Sequence, residues 1–125
     1  MAYIYMNPNP RGKHVGDCST RALAIALDID WDSAYDLQYK FGKPIGDMAN
    51  STATINNILI KNGFIRETIP NTCPACYTIW DFCDDHPRGT YVLSTGSHIV
   101  TAIDGNYYDT WDSGDEVPII YWRRK

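Results

Sequence analysis

Residues Val15–Leu27 read VGDCSTRALAIAL, and after Asp17 the run carries one charge, Arg21. Asp suits a helix N-cap because its carboxylate accepts hydrogen bonds from exposed backbone N–H groups. Cys18 is then the first helical residue. Cys18, Ala22, Ile25, Ala26 and Ile29 fall on one face, and Leu23 and Leu27 widen it. A helix apolar on nearly all sides is a central, buried one. A thiol at its front is either a small core hydrophobe or a nucleophile, since the helix dipole favours the reactive thiolate there.

Working outward, further helices are expected from Trp31 to about Tyr39, capped by Asp30 and ended by Gly42, and from Ser51 to Asn62, stopped by Gly63. Ahead of the cysteine, Tyr3–Met6 (YIYM) reads as a short edge strand and the Pro-bearing NPNPRGKHVG as extended chain. Phe64–Ile69 is a candidate strand closed by Pro70, and Thr78 caps a short helix to about Asp85. Strands are expected at 90–94, 98–103, 106–111 and 117–122, with STGS and DGN as hairpin turns. Helices followed by an antiparallel sheet define an α+β class. With 125 residues and no repeat or linker, the expectation is a single domain over 1–125.

Composition narrows the function classes. Hydrophobic residues make up 44% of the chain, with 9 Tyr, 4 Trp and 3 Phe, which suits a folded core. The net charge of −4 and the scatter of basic residues outside 123–125 argue against a nucleic-acid footprint. The longest apolar run, Ala22–Leu27, is far short of a membrane span. The N-terminus lacks a basic region followed by a long apolar core, so no signal peptide is expected. A cytoplasmic protein with its 4 cysteines reduced follows from that.

A nucleophilic cysteine needs a base held by a third group. His98 opens an apolar strand directly after the polar turn STGS, where it can project from the sheet edge toward the helix start. The hairpin after it supplies a carboxylate. If Asp104-Gly105 is a two-residue turn, Asp109 lies on the face of His98; if the turn takes three residues, His98 pairs with Asp112. Periodicity leaves that register open. His14 lies close to Cys18 in sequence and is a weaker partner; His86 reads as a helix C-cap.

GDC opening a buried helix, SHIV on a strand and YYDTW on the next resemble the papain-like cysteine peptidases, in which Cys, His and then Asn or Asp follow in that order. The segment HPRGTYVLSTGSHIVTAIDGNYYDTWDSG (86–114) is similar to small bacterial and phage-encoded members. The resemblance covers Gly16–Leu27 and His86–Trp122. It implies a papain-like layout, with N-terminal helices and a central Cys-bearing helix packed on a C-terminal antiparallel sheet. It also implies Cys18 as nucleophile, His98 as base and Asp109 as orienter; the open hairpin register keeps Asp112 as the alternative orienter. The family carries a Gln before its cysteine that donates to the oxyanion; six residues before Cys18 stands Gly12, which leaves Asn7, Asn9 or the Cys18 backbone N–H as donors. Asp17 and Trp111 are expected to line the cleft.

The expected function is a cysteine-dependent hydrolase or acyl-transfer enzyme for a small amide, thioester or short peptide, since a chain this short leaves little room for a long cleft. The alternative is a catalytically idle binding module on the same fold, such as a phage protein sequestering a small ligand or a host defence protein. No cofactor, membrane or nucleic-acid partner is expected. Cys73-x2-Cys76 followed by Cys83-x2-His86 offers four soft zinc ligands. The six-residue gap between the pairs is short, and Cys83 fits the buried face of its helix, so the expectation is no metal.

Overall fold

The computed structural model describes residues 2–125. In chain order the elements are β1 (Tyr3–Tyr5), α1 (Cys18–Leu27), α2 (Trp31–Ile45), α3 (Thr52–Lys61), β2 (Phe64–Thr68), α4 (Ile79–Asp85), β3 (Thr90–Ser94), β4 (Ile99–Ile103), β5 (Asn106–Asp109) and β6 (Ile120–Arg124). This is an α+β fold with four helices on one six-stranded sheet, ordered β1-β5-β4-β3-β6-β2. The sheet is mixed, which corrects the expectation of an all-antiparallel one. β1 runs parallel to β5 with Tyr3 opposite Tyr107; the chain leaves β1 through a twelve-residue loop and the three helices α1–α3 before the sheet resumes at β2. No described helix is long and apolar enough to cross a membrane.

Side-chain alternation along the central strands builds two cores. On one face Val92, Ile99, Ile120 and Trp122 pack against α1, α2 and α3 through Leu23, Ala34, Ile55 and Ile58. On the other, Leu93, Val100, Ala102 and Tyr107 pack against Ile79, Phe82 and Cys83 of α4. Each large side chain taken fully out of water in this way contributes about 1.5–3 kcal/mol before cavity and strain effects. β4 is buried along its first four residues, as a strand covered on both faces must be. Thr101 of β4 donates its hydroxyl to the Ala22 carbonyl at 2.7 Å. That bond fixes α1 across the middle of the sheet, with its N-terminus toward the start of β4.

Local signals set most helix limits. Asp30 accepts from the Ser33 N–H at 2.7 Å, Ser51 accepts from Thr54, and Thr78 with Asp81 forms a capping box. α2 does not stop at Gly42. It continues to Ile45 and ends on Gly46 in a left-handed conformation, φ 68°. Gly42 instead serves close packing. A Cβ there would sit 3.0 Å from the Asp47 carbonyl oxygen, 3.2 Å from Thr54 Oγ1 and 3.3 Å from the Met48 carbonyl oxygen. Gly42→Ala is therefore expected to destabilise the protein by about 1–3 kcal/mol, although alanine is the better helix former by about 1 kcal/mol. Chemical denaturation measures this; a stabilised variant would show that the α2–α3 junction yields.

Candidate active site

Three segments converge at the N-terminus of α1. Cys18 is its first residue. Asp17 precedes it but makes no side-chain cap, which corrects the sequence expectation. Its carboxylate is buried and accepts from the Arg21 guanidinium on Oδ1 and from Trp31 Nε1 on Oδ2, the latter at 2.9 Å. Among the described residues no side chain hydrogen-bonds to the first N–H groups of α1, which leaves them free to receive an anion beside the sulfur.

His98 is the last residue of the four-residue loop between β3 and β4. That loop is tied at its base, where Thr95 N–H donates to the His98 carbonyl at 2.9 Å and His98 N–H donates to Thr95 Oγ1 at 3.1 Å. Gly96 takes φ 98°, which its lack of a side chain permits. The β4–β5 hairpin pairs Ile103 with Asn106. Asp104 (φ 51°) and Gly105 (φ 81°) are both left-handed, as a two-residue primed turn requires. In that register Asp109 ends β5 facing His98, and His98 Nε2 lies 2.6 Å from Asp109 Oδ2. Cys18 and His98 line the same cavity, close enough for the imidazole to favour the Cys18 thiolate.

Asp112 lies elsewhere. Its Oδ1 accepts from the Tyr107 hydroxyl and from Gly114 N–H at 3.1 Å. Trp111 does sit at the site, its ring centroid 4.9 Å from that of His98 and its side chain partly exposed. Asn7 and Asn9 do not line the cavity around Cys18. Asn7 Nδ2 donates to the Lys13 carbonyl at 3.2 Å, and Asn9 Oδ1 accepts from Arg11 N–H at 2.9 Å. Each Asn thus folds its own loop, the ordinary local use of that side chain. Asp17 faces the neighbouring cleft rather than the sulfur.

The four soft ligands of 73–86 do not assemble. Cys73 and Cys76 form a disulfide, correcting the expectation of four reduced thiols. Cys83 is buried in the α4 core and its thiol is pushed up to about 11 by burial. His86 donates Nδ1–H to the Phe82 carbonyl at 2.7 Å and stacks on the Phe82 ring. Among the described residues no group of three His, Cys, Asp or Glu is placed to hold a metal ion.

The electrostatics support a charged pair. Burial opposes ionisation of Cys18, but the hydrogen bond from His98, the backbone of Ile99 and the charges of His98 and Arg21 outweigh it and hold the thiol below its usual value. Burial likewise opposes the imidazolium; Asp109 and Cys18 outweigh it and raise His98 to about 9. Asp109 is lowered despite burial, chiefly by His98 and Ser113. The shifts thus favour the thiolate–imidazolium–carboxylate form, an arrangement that can attack an acyl carbon and then protonate a leaving group.

Three residues that motif reasoning passed over complete the site. Arg21 bridges Asp17 and Asp109, reaching Asp109 Oδ1 at 3.2 Å with 8% of its side chain exposed. Ser113 donates its hydroxyl to Asp109 Oδ2 at 2.7 Å. Asn50 lines the roughly 170 Å³ cavity at Cys18 and His98. The one signal in the sequence was Arg21 itself, a lone charge in an apolar helix; a buried charge needs partners. Compared with protein-family models, curated proteins and solved structures, the chain matches none.

Proposed function

We propose that the chain is a papain-like, cysteine-dependent hydrolase or acyl-transfer enzyme working in a cytoplasm. The observation that carries this is that Cys18, at the front of α1 and without a cap from Asp17, shares one cavity with His98, whose imidazole is held by Asp109. Cys18 sulfur bonds to the acyl carbon as the carbonyl π pair moves to oxygen. The backbone N–H groups that open α1 receive that oxyanion. Collapse breaks the bond to the leaving group, which takes its proton from the His98 imidazolium. Water or another nucleophile then releases the acyl group while the imidazole accepts its proton. Asp109 holds the ring orientation throughout.

The reacting pair requires Cys18 deprotonated and His98 protonated. The first condition is met below the ordinary thiol range, because the thiol is lowered; the second fails as pH rises through about 9. Turnover of a panel of amide, thioester and short-peptide substrates is therefore expected to give a bell-shaped profile with its alkaline limb near pH 9. A rate that only climbs through pH 8–9, as for an unpaired thiol, would defeat the assignment. A second reading, a binding module on this fold that holds a small ligand or a host protein without turnover, draws on the placement of Asn7 and Asn9 away from Cys18. A reactive Cys18 with no turnover across the panel would favour it.

A further inference from the structure

Cys73 and Cys76 take no part in the site at α1. Their disulfide spans a sequence separation of 3, in the loop that carries the chain from β2 to α4. Both ends of that loop are held without it. Ile69 N–H donates to the Ile119 carbonyl at 2.9 Å, and Thr78 with Asp81 closes the capping box of α4. A disulfide stabilises less as the loop it closes shortens, so the course of this loop does not depend on it. Cys73 is exposed and Cys76 half-buried, and exposed disulfides are the ones that exchange readily with thiols. Cys73 also lines a cavity of about 290 Å³. The apolar part of its wall is Ile69, Pro70, Tyr77, Val117, Pro118 and Ile119, and none of the described residues lining it is charged. It shares no lining residue with the cavity at Cys18. Beside it, Asp85 accepts from the Tyr77 hydroxyl at 2.7 Å.

We infer that Cys73 and Cys76 form a thiol–disulfide exchange centre whose substrates are thiols borne on an uncharged, apolar body that seats in the adjoining cavity. The proposal stands apart from the hydrolase reading. The substrate thiolate attacks the sulfur of Cys73, the more exposed of the pair. The Cys73–Cys76 bond breaks as the new S–S bond forms, and Cys76 leaves as a thiolate that takes a proton from water. A second substrate thiolate then attacks the substrate sulfur of the mixed disulfide and releases Cys73. Two thiols are thereby oxidised to one disulfide, and Cys73 and Cys76 gain the two electrons. Because both ends of the loop are anchored, Cys76 is kept near Cys73 after opening, and an oxidised substrate can re-form the ring by the reverse steps. Cys83 does not compete as the resolving thiol: it is buried in the α4 core, and burial pushes its thiol up to about 11. Selectivity comes from the lining. An apolar body seated on Ile69, Val117 and Ile119 leaves water. An anionic one would lose its hydration with no cation in the lining to replace it, and Asp85 beside Tyr77 repels it.

The test treats the full chain, purified without reductant, with benzyl mercaptan or with 2-mercaptoethanesulfonate. Freed Cys73 and Cys76 are blocked with N-ethylmaleimide and located by peptide mass spectrometry. Each rate is divided by the same thiol's rate with hydroxyethyl disulfide, which cancels differences in thiol acidity and nucleophilicity. On that scale benzyl mercaptan is expected to open the bridge roughly tenfold faster than the sulfonate, and the reduced protein should keep its native circular dichroism spectrum. Ile119→Glu, at a position 50% exposed, should cut the preference roughly fivefold. Ile60→Glu, at a position 48% exposed and outside the cavity, should leave it unchanged. A bridge that neither thiol opens, or one whose reduction unfolds the protein, would make it a structural staple and overturn the proposal. Equal normalised rates for the two thiols, or a preference that survives Ile119→Glu, would overturn it by removing the cavity from the reaction.

Discussion

His98→Ala is expected to slow alkylation of Cys18 by iodoacetamide at pH 6 by about 10–100-fold. An ordinary thiol is less than about 1% thiolate at that pH, and thiolate is the form that reacts. In the folded protein the His98 imidazolium is the largest influence favouring the Cys18 anion over its burial. Removing the ring leaves only the Ile99 backbone and the Arg21 charge to offset burial. The effect falls short of the full change in thiolate fraction because a more basic thiolate is intrinsically the better nucleophile. Cys83 is the internal control: it is the other free cysteine, fully buried, with its thiol near 11, and should stay unlabelled in both proteins. Mass spectrometry of the labelled peptides reads both sites. Equal labelling of Cys18 in wild type and variant would show that the pair is not activated.

Arg21→Met is expected to destabilise the protein by about 3–5 kcal/mol, lowering the melting temperature by roughly 10–20 °C for a chain of this size. Arg21 is buried between two carboxylates that are themselves buried, Asp17 and Asp109. Methionine fills much of its volume but leaves Asp17 without a cation and Asp109 with only His98, and an orphaned buried charge costs more than the intact pair contributes. The mechanism can be separated from simple loss of packing by adding Asp17→Asn. Removing one orphaned charge should recover part of the loss even though a further native group has gone. A single variant that melts within about 3 °C of wild type, or a double variant that is no better than the single, would show that Arg21 is held by packing alone.

Both effects arise from contacts between residues far apart in sequence, which bears on how much of the site could be read in advance. Cys18 announced itself through its local setting, an Asp and then an apolar helix. His98 announced itself as a polar residue entering a buried strand. The choice between Asp109 and Asp112 could not be made from residue types, because it hangs on one residue of hairpin register. A one-residue slip turns every side chain to the opposite face. The paired left-handed conformations of Asp104 and Gly105 resolve it. Asp17 illustrates a different failure. Its composition and position signal an N-cap, but Arg21 one turn later and Trp31 from the next helix compete for the same carboxylate and win it. Gly42 reads as a helix stop for the same reason that it fits a close contact: it has no side chain.

By itself the sequence placed the last strand at 117–122, whereas β6 runs Ile120–Arg124, but it determined most local elements: where helices start on Asp30, Ser51 and Thr78, and which helix is buried. Those depend on backbone propensity, capping and the spacing of apolar residues within a few positions. Tertiary structure alone decided that β1 joins the sheet in parallel and that Arg21 reaches Asp109 as well as Asp17, its neighbour one turn back. Such features depend on which distant segments share a face once the two cores close, and no short-range pattern in the chain encodes that.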